Sequence, residues 1–134
     1  MSTVAEQVVS TDTWPAELQA ELARNAFNGR VGSRLVSETD RVRVWQIHLA
    51  PGERLPFHRH VLHYFWTVLT PGAAQSRYAD GRIEQVRYEG GETKHLYFAA
   101  GEFMIHDLEN IGPTPLVYVT VEFLDSPNPP LDLP

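Results

Sequence analysis

Gly52-Glu53-Arg54-Leu55-Pro56-Phe57-His58-Arg59-His60 is the stretch whose reading decides how this chain folds. Pro51 and Gly52 open a strand, and side chains at i and i+2 of a strand leave the same face. His58 and His60 therefore present two imidazoles toward one point, as a transition metal requires. His106, far away in sequence on another expected strand, offers a third. Three neutral imidazoles converging inside a small barrel make a metal site with open positions.

Outward from that strand, β signals run along Arg34 to Ser37, Val42 to Leu49, Tyr64 to Leu69, Ser76 to Tyr78, Ile83 to Tyr88, Thr93 to Phe98, Glu102 to Asn110 and Leu116 to Leu124. Pro51-Gly52, Pro71-Gly72, Asp80-Gly81, Gly90-Gly91, Gly101 and Gly112-Pro113 separate them at a spacing that suggests an antiparallel sandwich or barrel. Asp80-Gly81 reads as a tight hairpin turn whose two central residues both need positive φ. In the last strand Val117, Val119, Val121 and Phe123 alternate with Tyr118, Thr120 and Glu122, which predicts an apolar core face against a polar or cavity-facing one.

Before the strands, Thr13 and Pro15 introduce a helix over Ala16 to Phe27, with Leu18, Leu22 and Phe27 on one face and Glu17, Glu21 and Arg24 toward water. Asn28-Gly29 ends it. The expected organisation is an N-terminal arm and short helix (1–30), one β-barrel domain (31–125) and a proline-rich tail (126–134) that is extended or disordered.

The 134 residues suffice for one domain with a core of its own. With no cysteine, a metal must be held by nitrogen and oxygen. The formal charge of −6 argues against nucleic-acid or anionic-membrane partners, which are gripped by basic surfaces. No signal-peptide pattern and no apolar run of membrane-spanning length is present, so a cytoplasmic protein is expected. No Ser-His-Asp or Cys-His nucleophile pattern and no phosphate-binding Gly loop stands out, which leaves hydrolysis by those routes unsupported.

Gly52-x5-His58-x-His60-x4-Phe65-x6-Gly72 resembles the first motif of the cupin superfamily, G-x5-H-x-H-x3,4-E-x6-G, and His106-Asp-Leu-Glu-Asn110 matches the H-x3-N ending of the second. The resemblance implies a double-stranded β-helix, or jelly-roll, barrel with a metal near its mouth, held by the two motif-one histidines, a glutamate and the motif-two histidine. Two departures stand out. The glutamate position falls on Phe65, and four residues separate Gly101 from His106 where the family has two. His63 is the first candidate to replace the missing ligand, and Glu102, expected to share a strand face with His106, is the second.

Cupins that hold Fe(II) with three histidines include thiol and diketone dioxygenases. The resemblance therefore implies a metal-dependent dioxygenase acting on a small anionic or chelating metabolite, with Fe(II) favoured over Zn, Ni, Mn or Cu, and with Tyr64 or Glu102 handling protons. A non-enzymatic barrel that binds a small molecule or serves as an accessory protein is the alternative, supported by the missing glutamate. The wider pattern around Phe57 to Leu69 and Gly101 to Asn110 is similar to small cupins that include a β-alanine-degradation accessory protein, and a homodimer is implied by the same likeness.

Several residues have plainer readings. His48 and His95 read as ordinary strand residues, and Asn110 as a turn residue bonding nearby backbone. Tyr64, Phe65 and Trp66 read as barrel core. Arg43, Tyr78, Tyr97, Thr120 and Glu122 are polar strand residues that spacing does not separate from solvent-facing positions.

Overall fold

A computed structural model describes residues 3–133. The strands are β1 (Thr3–Val8), β2 (Arg34–Glu38), β3 (Val42–Leu49), β4 (Arg54–His60), β5 (Tyr64–Val68), β6 (Gly72–Arg77), β7 (Arg82–Tyr88), β8 (Thr93–Leu96), β9 (Met104–Asn110) and β10 (Leu116–Phe123), with one helix, α1 (Ala16–Arg24). They form two five-stranded antiparallel sheets, β1-β7-β6-β9-β4 and β2-β3-β10-β5-β8. Sequence neighbours such as β3 and β4 lie in different sheets, so the chain crosses between layers and closes a barrel.

The interior is filled by Ile47, Leu49, Leu55, Val68, Ala74, Leu108, Leu116 and Tyr118, contributed by both sheets. In β10 the buried residues are Leu116, Tyr118, Thr120 and Glu122, whereas Val117, Val119 and Val121 are half-buried and Phe123 is exposed. The valine face is thus the outer one, correcting the expectation that it makes the core. The inward face is polar because it borders a cavity.

A second apolar cluster lies outside the first sheet, where α1 covers Phe57 and Ile105 with Trp14, Leu18 and Leu22. Leu18 and Leu22 pack as the helical period predicts. Phe27 lies beyond the end of α1 and is exposed, over the Arg59 guanidinium at 4.2 Å. Glu21 does not face water. It pairs with Arg54 and accepts the Phe57 backbone N–H at 3.0 Å.

The first strand of the barrel begins in the N-terminal arm, since β1 pairs with β7 in register from Thr3↔Arg87 to Val8↔Arg82. At Asp80-Gly81 only Gly81 has positive φ (92°). Tyr78 and Arg82 close a three-residue loop, with Tyr78 N–H donating to Arg82 O at 2.8 Å and Gly81 N–H to Tyr78 O at 2.9 Å. This is the longer hairpin with glycine at its left-handed position, not the two-residue turn expected. The tail is an extended arm: Asn128 donates to Val61 O and Ala99 O at 3.0 Å and accepts from Gly101 N–H at 2.8 Å.

Candidate metal centre

Regular alternation along β4 puts Leu55 and His58 on opposite faces, yet both are buried inside the barrel. The register explains it: Leu55 pairs with Leu108 and His58 with His106, so three steps on β4 match two on β9. The bulge falls at Pro56-Phe57, where proline has no N–H to give to the ladder. It turns Phe57 out toward α1 and brings His58 and His60 to the inner face. The Pro56 carbonyl freed by the bulge accepts His58 Nδ1–H at 2.8 Å. That bond fixes the tautomer and leaves the His58 Nε2 lone pair for a ligand.

His58, His60 and His106 each offer a ring nitrogen within 4.8 Å of the others. His60 Nε2 lies 3.2 Å from His106 Nε2, within the roughly 3.0–3.4 Å that separates two imidazole nitrogens on one ion at bonds of about 2.0–2.1 Å. His60 Nδ1 and His106 Nδ1 are buried without a hydrogen-bond partner. Burial lowers all three imidazoles: His58 to about 4, and His60 and His106 well below the ordinary value, with their histidine neighbours adding to the effect. All three are neutral at neutral pH, the state that binds metal. Donor chemistry, separation and protonation state all fit a divalent transition ion.

Aromatic rings hold two of the imidazoles flat. Tyr64 stacks on His60 at 4.1 Å and 10°, and Tyr78 on His106 at 5.3 Å and 22°. Behind His106, on the other face of β9, Asp107 is fully buried. It binds Arg54 Nε at 2.7 Å and Arg77 Nη1 at 2.8 Å, and Arg54 reaches on to Glu21 of α1. Burial acts to raise the Glu21 carboxyl, but the Arg54 guanidinium outweighs it and holds it below the usual range. The outer face of β9 is thereby clamped while its inner face carries His106.

The histidines open on a cavity of about 70 Å³ counted over positions open to the centre of a water molecule. One water takes roughly 10–15 Å³ on that measure, so the space suits a ligand of a few heavy atoms. Its walls are Leu55, Ile47, Leu108 and a set of polar or aromatic residues: Tyr64, Trp66, Ser76, Tyr78, Glu84, Tyr88, Lys94, Tyr118 and Thr120. Burial raises the hydroxyls of Tyr64, Tyr78, Tyr88 and Tyr118, so these phenols are neutral.

Of the residues singled out from sequence, the structure brings together His58, His60, His106 and Tyr64. His63 stands apart: its Nδ1 accepts the Phe98 N–H at 3.1 Å and its ring packs on Tyr97. Glu102 precedes β9, is exposed and accepts the Ala99 N–H at 2.6 Å, so it does not share the His106 face. Phe65 points outward to His95 and Phe123, and the inward place beside His60 is held by Tyr64. The shorter, x3 spacing of the motif-one pattern is therefore the one that matches this barrel.

Asn110 is buried at a turn, donating to Leu49 O and Thr114 O at 2.9 and 2.8 Å. His48 and His95 are exposed. Among the undistinguished polar residues, Tyr78 and Thr120 reach the cavity. Glu122 instead accepts Trp45 Nε1–H at 2.7 Å, and Tyr97 is exposed. Glu84, Ser76, Tyr88 and Lys94 were not legible as site residues, because only the β6–β7 and β5–β8 pairings turn them to the cavity.

No family model matches the chain, and no curated protein matches it. Solved structures do. A cupin domain from Bordetella pertussis Tohama I is 22% identical, over 67% of this chain and 88% of that one, with a TM-score of 0.58. A conserved protein with a double-stranded β-helix domain from Klebsiella pneumoniae subsp. pneumoniae MGH 78578 is 27% identical, over 65% and 70%, with a TM-score of 0.52. An RmlC-like cupin from Methanocaldococcus jannaschii is 19% identical, over 67% and 76%, with a TM-score of 0.54. No helix among the described residues is long and apolar enough to cross a membrane. Two facing antiparallel sheets and the double-stranded β-helix structures they match give this chain the fold of the cupin superfamily.

Proposed function

We propose that this protein is a mononuclear metal cupin that acts on a small anionic or chelating metabolite, and that the reaction is of the dioxygenase type. The observation that supports it most is the convergence of three neutral imidazoles, two buried and that of His106 half-buried, on one point at the wall of a cavity. Fe(II) held by His58, His60 and His106 would supply Lewis acidity and a redox couple.

The chain's own residues do the rest. His58 is oriented by the Pro56 carbonyl, and His60 and His106 by Tyr64 and Tyr78. A neutral ligand set leaves the ion's charge for an anionic substrate to balance. The small volume limits substrate size. Tyr64, neutral and beside His60, is placed to donate a hydrogen bond rather than to act as a base.

A binding or accessory role is the second reading, favoured by the absence of a carboxylate from the ligand cluster. Oxygen uptake separates them. Fe(II)-loaded protein mixed with a panel of small carboxylates, thiols and diketones consumes dioxygen with at least one of them if the first reading holds. Substrate-independent binding with no uptake across the panel selects the second.

A further inference from the structure

Among the described residues, Glu84 is the only carboxylate on the cavity wall. On β7 it pairs with Ser76 of β6, two positions along that strand from Tyr78, which bridges to His106. It therefore sits about 7 Å along the strand direction and two strands, roughly 10 Å, across the sheet from His106, and it is not among the clustered ligand groups.

Its surroundings differ from those of the other part-buried or buried carboxylates of this sheet and its helix. Glu21, Asp107 and Glu109 are each tied to Arg54 or Arg77. Glu84 takes part in none of the salt bridges formed among the described residues. Arg82, next but one in sequence, lies over the Tyr78 ring at 3.9 Å. Lys94, the one cationic side chain on the wall among the described residues, is exposed on the opposite sheet. Within the wall the Tyr78 hydroxyl hydrogen-bonds the Glu84 carboxylate, and because a carboxylate offers about four acceptor sites, one phenol leaves the others open to a donor carried by a ligand.

We infer that Glu84 is a ligand-recognition residue, and that the compound the cavity takes carries a hydrogen-bond donor, an ammonium or hydroxyl group, a few bonds from the oxygen that approaches the histidines. This rests on the metal-cupin reading and specifies its substrate class: a short bifunctional carboxylate, anionic at one end and donating at the other. The ammonium form answers the charge of Glu84 and the hydroxyl form only its acceptor atoms.

The test uses the Co(II)-loaded full-length protein and three probes of one length, butyrate, 4-hydroxybutyrate and 4-aminobutyrate, titrated by calorimetry and by the visible Co(II) spectrum. A charge-assisted hydrogen bond predicts that at least one donor-bearing probe binds about 10- to 100-fold more tightly than butyrate. In Glu84→Gln that preference shrinks to within a few-fold while Co(II) binding stays, and in Glu84→Asp part of it remains. Circular dichroism checks that both variants are folded. Equal binding of the three probes, a preference that survives Glu84→Gln, or no binding of any probe overturns the inference and leaves the metal site standing. Failure of the wild type to take up Co(II) overturns the metal reading itself.

Discussion

His60 Nε2 and His106 Nε2 stand 3.2 Å apart on neighbouring parts of one sheet, each with its ring against a tyrosine. Two neutral imidazoles whose Nε2 atoms are held so closely are an arrangement that one bound ion satisfies when both Nε2 lone pairs face it. Tyr64 holds one side of that pair. Tyr64→Ala removes the stacked ring and is predicted to weaken metal affinity by about 10- to 100-fold. Tyr64→Phe keeps the ring and changes affinity little. Competition against a chromogenic chelator measures both.

Asp107 is fully buried between two guanidinium groups, and removing its carboxylate takes the shared partner from both, leaving Arg54 with Glu21 and Arg77 with Glu109. Asp107→Ala is predicted to cost about 3–5 kcal/mol of stability, read from urea unfolding. Asp107→Asn, which keeps the shape, costs less.

Glu122 carries the opposite problem. Burial pushes its carboxyl up to about 7, with the Trp45 N–H pulling in the other direction. A raised folded-state value means the folded protein binds more protons than the unfolded chain between about 4.5 and 7, so this group's contribution to stability falls as pH rises through that window. Glu122→Gln keeps an acceptor for Trp45 and is predicted to raise stability at pH 8 by on the order of 1–3 kcal/mol. The gain is smaller at pH 5. Thermal unfolding of both proteins at the two pH values measures it.

The tail is tied down by Asn128, which bonds the backbone at Val61, Ala99 and Gly101. Asn128→Ala is predicted to cost about 1–3 kcal/mol and to expose Ser126 to Leu133 to limited proteolysis, which the wild type resists there.

Most strands and the His58/His60 pair were legible because each is a local, period-two signal, whereas β1 (Thr3–Val8) was read as part of the N-terminal arm and His106 was singled out by its place in the second motif. His58 and His60 share a face whatever the rest of the chain does. Features set by pairing were not. The bulge at Pro56-Phe57 appears only in the β4–β9 register, and without it Leu55 and His58 cannot both point inward. The choice between Tyr64 and Phe65 for the place beside His60 turns on one residue in a loop, where a single step flips the face. Glu21 looked solvent-facing because its partner, Arg54, is 33 positions away. The polar inner face of β10 looked like an outer one because sequence does not show where a barrel leaves a cavity.

The proposed function stands on His58, His60 and His106 holding one metal ion. Elemental analysis of untagged protein purified without chelator, beside a His58→Ala/His106→Ala double variant, tests it most directly. About one ion per chain is expected in the wild type and none in the variant. A wild type that holds no metal even after anaerobic Fe(II) loading, or a double variant that keeps the same content, would contradict it.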